Sequence, residues 1–323
     1  MSTTPPPSTR RGRLGLGTEA GVLRLSIAAT AVVAALGIVF GLLSGSFAIV
    51  FDGVYSLVDG VMTVVALLVA NLIAASAAGG GLRRRLVERF TMGFWHLEPM
   101  VLGVNGLLLT GAAVYAFINA VDAFLKGGRM LHFDQAIVYA AVTLLICIGM
   151  ALFGLRANRR LRSDFVALDA KAWFMSGAIT ASLLIAFGIG LAVQGTPLAW
   201  ISPYIDPTVL ALVCAVIIPM PIGTIRRALA DILLVTPPDL KAQVDAVAQD
   251  IVARYGFVDY RAYVARVGRG RQIELAFIVP PGAPPKPVED WDRLRDEIGE
   301  AIGGDTPDRW LTIVFTADPE WAD

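Results

Sequence analysis

Histidine, cysteine and charge are all scarce in this chain. Its 323 residues include 2 His and 2 Cys, and Asp, Glu, Lys and Arg together make up 17%. A soluble domain normally carries about 25% charged residues, so most of this chain requires a solvent other than water. Cys147 and Cys214 both fall inside apolar runs. That argues against a disulfide framework or a thiolate metal site and reads both as small buried apolar side chains. The 27 basic and 27 acidic residues cancel, so bulk charge gives no reason to expect nucleic acid as a partner. No nucleophile–base pair or Gly-rich phosphate loop stands out, so an enzyme is not expected and no motif calls for a cofactor. Gly79-Gly80-Gly81 lies at a helix exit and reads as a turn.

Apolar residues are abundant instead, at 56% of the total. They gather in six runs: about Leu23–Leu43, Phe47–Ala75, Pro99–Phe124, Ala136–Leu155, Phe165–Val193 and Pro207–Ile225. Each is long enough to cross a hydrocarbon core of about 30 Å at about 1.5 Å per residue. Lipid cannot satisfy backbone hydrogen bonds, so each must be a closed helix. Residues 1–20 are rich in Pro, Ser, Thr and Arg and read as a disordered cytosolic tail. The first run is long and no small-residue cleavage site follows it, so it is expected to stay in the lipid bilayer as a helix. Orientation follows from arginine. Arg10, Arg11 and Arg13 precede the first run, and Arg83–Arg85 with Arg89 follow the second. Arg156, Arg159, Arg160 and Arg162 follow the fourth, and Arg226 and Arg227 the sixth. The alternate loops hold only Lys126 and Arg129. The positive-inside rule predicts both termini in the cytoplasm, with the protein in the inner (plasma) membrane.

From Asp239 the chain changes character. Leu240–Tyr255 has helical spacing, with Val244, Val247, Ile251 and Val252 on one side. Two alternating runs follow, Arg261–Val267 and Gln272–Val279, joined by the hairpin signal Gly268-Arg269-Gly270-Arg271. After the Pro-rich link Pro280–Pro287 come a helix over Val288–Ile302 and a strand over Trp310–Thr316. The expected fold class is an α-helical membrane protein with six transmembrane helices plus a small α+β (αββαβ) cytosolic domain, helices on one face of its sheet. The expected divisions are the tail at 1–20, the membrane domain at 21–235 and the cytosolic domain at 239–323. So modest a domain core would gain from an oligomer contact.

Ionisable side chains inside membrane helices are costly and usually face a pathway or a partner. The second run contains Asp52, Tyr55 and Asp59. Tyr55 and Asp59 are i, i+4 neighbours on one helix face, with Asp52 further out on nearly that face. Asp52 and Asp59 lie about 10 Å apart along the axis, too far to share one ion. Asp59 then belongs to a midplane site and Asp52 to the outer vestibule; the competing reading makes Asp59 a packing carboxylate bonded to a neighbouring helix. In the fifth run Asp169, Ser176 and Thr180 form one polar stripe. Ser176 falls near the depth of Asp59, as a ligand or bonded to its own backbone, and Asp169 nearer the cytosol. Lys171 snorkels to the interface and Trp173 packs.

Ser46-Phe-Ala-Ile-Val-Phe-Asp-Gly-Val-Tyr-Ser-Leu-Val-Asp59, Phe94–Pro99 followed by Val104–Leu107, Asp206-Pro207, and Pro237-Pro238 after Arg226-Arg227 occur in this order. In these segments and in its αββαβ tail the chain resembles the cation diffusion facilitator (cation efflux) family, over about residues 21–318. The resemblance implies a homodimer that moves divalent metal ions out of the cytoplasm in exchange for protons. Helices would rock around a tetrahedral site made by the second and fifth spans. It also implies departures: Tyr55 takes the first position of the second-helix pair and Asp59 keeps the second, while Ala172 replaces His and Ser176 replaces Asp. Phe94 stands where a histidine is common.

The candidate metal ligands are therefore Asp59, Tyr55, Asp52, Ser176 and Asp169. An oxygen-dominated set favours manganese, ferrous iron, magnesium or even a monovalent ion over zinc. A carboxylate in low dielectric can also carry a proton. His96 with Glu98 could bind metal or a proton, or make a hydrogen bond at the helix start. His132 reads as a solvated loop residue, and Asp318 and Glu320 as solvated acids. The expected function is secondary cation transport. The alternative is a non-transporting scaffold or regulatory partner of an active relative.

Overall fold

The computed structural model of the protein describes residues 18–77, 90, 93–161 and 164–322. Residues 1–17 of the expected tail, Gly79–Gly81, Arg83–Arg85, Arg89 and Arg162 lie outside the described residues. Among the described residues six segments are long and apolar enough to cross a membrane. Five are single helices: α1 Glu19–Ser44, α2 Phe47–Ala77, α3 Leu97–Leu125, α4 Phe133–Leu161 and α5 Asp164–Val193. The sixth differs from the uninterrupted run expected over Pro207–Ile225. It consists of a 3-10 turn, Ala199–Tyr204, then α6 Ile205–Ile217 and α7 Ile222–Ile232. Pro219 and Pro221 stand between the last two, and proline offers no N–H and collides with the preceding turn, so α6 stops there. Arg226 and Arg227 accordingly lie within α7 rather than beyond the last helix.

The chain folds as two compact units. One runs to Val61 and includes Leu108–Pro221; the other comprises Met62–Leu107 and the chain from Ile222 onward. In the first unit α1 and α2 touch backbone to backbone. A Cβ added to Gly37 would lie 2.7 Å from Gly53 Cα, and one on Gly41 2.5 Å from the Val50 nitrogen. Gly37 and Gly41 are four residues apart and share a helix face, the small-residue spacing that lets membrane helices approach closely. α4 packs along α5 in the same way, Gly154 facing Ala170 and Gly177 facing Cys147. Ile49, Tyr139, Phe187, Leu210 and Cys214 fill the space between the helices.

One end of this unit is tied by a buried carboxylate. Asp206, 1% exposed, lies in the first turn of α6. It accepts a hydrogen bond from the Ser46 hydroxyl and two more from the Phe47 and Ala48 N–H groups at 3.2 and 3.3 Å. The first turn of any helix leaves such N–H groups unmet, and a negative charge there also suits the helix dipole. The Ser46 hydroxyl in turn accepts from Ile49 N–H, completing the cap. The His132 N–H donates to the Ser44 carbonyl, and the Arg129 guanidinium sits 4.7 Å over the Phe47 ring.

In the second unit α8 Pro238–Tyr255, β1 Asp259–Val267, β2 Gly270–Ile278, α9 Val288–Ile302 and β3 Arg309–Thr316 form the expected αββαβ domain. The sheet order is β1-β2-β3, with β1–β2 antiparallel and β2–β3 parallel. A parallel pair needs a crossover, and α9 supplies it. Ile273, Leu275 and Phe277 alternate along β2 toward Leu240, Val244, Ile251, Leu294 and Ile298 of the helices. The helices thus cover one face. The β1–β2 hairpin meets the start of α3: Arg269 bonds Glu98 at 2.8 and 3.4 Å, and a Cβ on Gly270 would fall 2.6 Å from the Trp95 ring.

Two outcomes follow from these contacts. Asp206→Ala leaves the first-turn donors of α2 unmet, an expected loss of about 2–4 kcal/mol, read as a lower melting midpoint in detergent; an unchanged midpoint would refute the cap. The Tyr255 hydroxyl of α8, with Arg254 beside it, holds the Glu297 carboxyl of α9 below its ordinary value of 4.5. A lowered carboxylate pKa contributes stability above that value and loses it as pH falls through the depressed one. Glu297→Gln should therefore lower the midpoint slightly at pH 7, and its difference from wild type should vanish on strong acidification.

Candidate cation site

The acidic side chains of α2 lie within its first thirteen residues, Phe47–Asp59. The Asp52 carboxylate accepts a 2.8 Å hydrogen bond from the Tyr139 hydroxyl of α4. Tyr55 is half-buried, its ring 5.5 Å from that of Phe51, and its hydroxyl lies within electrostatic reach of Asp59. Asp59 itself is exposed on the surface of the chain. Tyr55 and Asp59 thus share one face of α2, and Asp52 is engaged toward α4.

The fifth-span residues divide between two groups. Asp169 on α5 accepts a 2.6 Å bond from the Ser26 hydroxyl of α1, and the Ser26 oxygen accepts from the Trp173 indole N–H at 2.8 Å. Trp173, expected only to pack, is buried at 7% exposure and also orients this group. Two turns along, the Cys147 thiol of α4 donates to the Ser176 hydroxyl at 3.6 Å, and Thr180 donates back to the Ser176 carbonyl. Cys147 lies within electrostatic reach of Asp52. Ser176 is therefore joined through α4 to the Asp52 side. Ala172 is exposed on α5 and brings no donor atom.

Five contributors escaped the reading of the sequence: Ser26, Tyr139, Thr143 and, as polar partners, Cys147 and Trp173. Tyr139, Thr143 and Cys147 recur every fourth residue, and all are at most 1% exposed. That spacing marks one face of a helix and was available in the sequence. Among the described residues no group of three or more His, Cys, Asp or Glu side chains is gathered for metal. What the bundle presents is carboxylate and hydroxyl oxygen. His132 is exposed, as expected of a loop residue, and Glu98 is engaged by Arg269.

Six apolar spans with carboxylates inside them, followed by a small three-stranded domain, define a multi-pass membrane protein built around intramembrane polar groups. Residues 23–233 match the family described as the cation efflux transmembrane domain. The chain belongs to that family of cation transporters. Relatives from two strains of Mycobacterium tuberculosis, each named a probable cation efflux system protein, are 26% identical over 243 residues, covering 74% of this chain and 67% of theirs. The magnetosome protein MamB of Magnetospira sp. is 25% identical over 161 residues, 50% of this chain and 51% of that one.

Ser26→Ala removes the hydroxyl that both Asp169 and Trp173 use. With two polar groups left short of a partner, the expected loss is about 1–3 kcal/mol, measured as a lower unfolding midpoint, with tryptophan emission altered. A variant identical to wild type in both readouts would show that the triad contributes nothing.

Proposed function

We propose that this protein is a secondary transporter of the inner (plasma) membrane, with both termini cytoplasmic, that exports a divalent metal ion by alternating access in exchange for protons. It acts as a homodimer and is not an enzyme. The observation that carries this reading is the Tyr55–Asp59 pair, one turn apart on α2 within an otherwise apolar span. A carboxylate kept on the surface of such a span is expensive unless it meets a partner or a cargo. With phenol and carboxylate oxygen as donors, the cargo is harder than zinc: manganese, ferrous iron or magnesium. Asp169, held by Ser26, supplies negative charge on the α5 side. The names of the mycobacterial relatives support efflux of a cation.

A second reading, a non-transporting scaffold or regulatory partner, is favoured by two observations: Ala172 supplies no ligand, and Ser176 is engaged by Cys147. Ion flux in proteoliposomes across a panel of divalent and monovalent cations decides between them. The expected result is flux of a hard divalent ion that falls about tenfold or more in Asp59→Ala, since a tenfold change needs only about 1.4 kcal/mol and a charged ligand is worth at least that. No flux of any ion from folded wild-type protein would transfer the assignment to the scaffold.

A further inference from the structure

We propose that α7 and the residues that leave it form a binding site for anionic phospholipid. Arg226 and Arg227 hold the headgroup phosphate while Ile222, Leu229 and Leu233 enter the boundary of the acyl chains. The site requires a chain embedded in a bilayer and does not rest on the transporter reading above.

The first support is length and charge. The sixth apolar segment, Ala199–Ile232, has 34 residues, whereas about 20 suffice to cross a hydrocarbon core. Its charged residues are Asp206, buried as the cap of α2, and Arg226, Arg227 and Asp231, all three within α7. An arginine at the centre of a span is costly, and adjacent arginines more so. α7 therefore marks where hydrocarbon gives way to headgroups. The helical ladder is interrupted at Pro219 and Pro221, just before it.

The second support is an uncovered face. Ile222, Ile225, Leu229 and Ile232 recur at steps of three and four residues and share one side of α7. Ile222, Leu229 and Ile232 are exposed, as are Leu233, Leu234 and Val235 just past the helix, with Leu233 at 71%. Protein covers other sides of α7. Ala228, 4% exposed, lies against Gly103 of α3. Asp231 accepts from the Gly268 N–H of the hairpin and faces Arg266 of β1. A run of exposed large apolar residues beside a water-exposed domain calls for a partner. The stripe continues a segment that crosses lipid, which makes the bilayer, rather than a soluble protein, the surface it meets.

Charge selects the lipid. Arg226 lies one turn from both Ile222 and Leu229, so it borders the stripe. Both arginines are exposed, and among the described residues neither is joined to a carboxylate. Arg227 gives one donor to the Gly223 carbonyl of its own helix at 3.3 Å, and a guanidinium has others to offer. Adjacent guanidinium groups next to an apolar face match a phosphate above its acyl chains, with paired hydrogen bonds to the phosphate oxygens. Helices with arginine on the polar side and leucine on the other bind anionic membrane surfaces in this manner.

The test is binding of phosphatidylglycerol to the full-length protein in nonionic detergent, read by native mass spectrometry. Phosphatidylcholine with the same acyl chains and inorganic phosphate serve as comparisons. The expected result is saturable binding of phosphatidylglycerol, about tenfold or more tighter than phosphatidylcholine. Arg226→Gln and Arg227→Gln together should weaken it about tenfold or more. Arg159→Gln with Arg160→Gln, an equal change of charge in the last turn of α4, should leave it unchanged. Equal affinity for the two lipids overturns the proposal, as does wild-type affinity in the α7 variant or an equal loss in both variants. Displacement of phosphatidylglycerol by inorganic phosphate at equal concentration also overturns it, since the site would then be one for free anions. If the α7 variant fails to fold, a nitroxide on Leu233→Cys in proteoliposomes carries the test; Cys147 and Cys214 are buried. The label should collide more with dissolved oxygen than with a water-soluble nickel chelate, and the reverse overturns the proposal. None of these readouts involves transport, so absent flux leaves this site standing and absent lipid binding leaves the transporter reading standing.

Discussion

Asp206 caps α2, and α2 carries each acidic residue of the second-span site within its first thirteen positions. Where α2 begins decides how deep Asp52 and Asp59 lie and which way each points. A carboxylate at 1% exposure is tolerable only because a hydroxyl and two backbone N–H groups surround it. In exchange it fixes the start of a 31-residue helix. The physical reason for Asp206-Pro207 is then plain. The aspartate is the cap for a distant helix, and the proline after it sits in the first turn of α6, where the helix has no use for its N–H.

The six spans and the αββαβ order were legible because apolar length and period-two alternation survive any tertiary context. The sheet, its hairpin and its crossover helix fall where the pattern put them, to within a few residues at each end. The sixth span was misread because hydropathy continues through Pro219-Met220-Pro221 while the hydrogen-bond ladder cannot. Apolarity and helix continuity are different properties, and only the first is visible in a hydropathy count.

The site was legible on α2 and much less so elsewhere. Asp52, Tyr55 and Asp59 announce themselves as polar groups where polarity is costly. Tyr139 and Thr143 do not, since Tyr and Thr are common at helix interfaces and their spacing alone does not say which neighbour they meet. Ser26 and Trp173 matter only because α1 and α5 come together, a fact no local pattern contains. Membership of the cation efflux family sharpens the contrast. The positions expected to supply His and Asp on α5 hold Ala172 and Ser176, and the polar groups of the bundle run instead from α2 through α4 to α5.

The close contact of α1 and α2 at Gly37 and Gly53 reaches further than packing. A methyl group at position 37 would come within 3.0 Å of the Tyr139 phenol oxygen as well as against the α2 backbone. It would push on that oxygen, which bonds Asp52, from the helix whose Phe40 ring already lies 6.3 Å from the Tyr139 ring. The electrostatics of the pocket are thus written partly in missing atoms: two empty positions on facing backbones set the hydrogen-bond distance of a residue on a third helix.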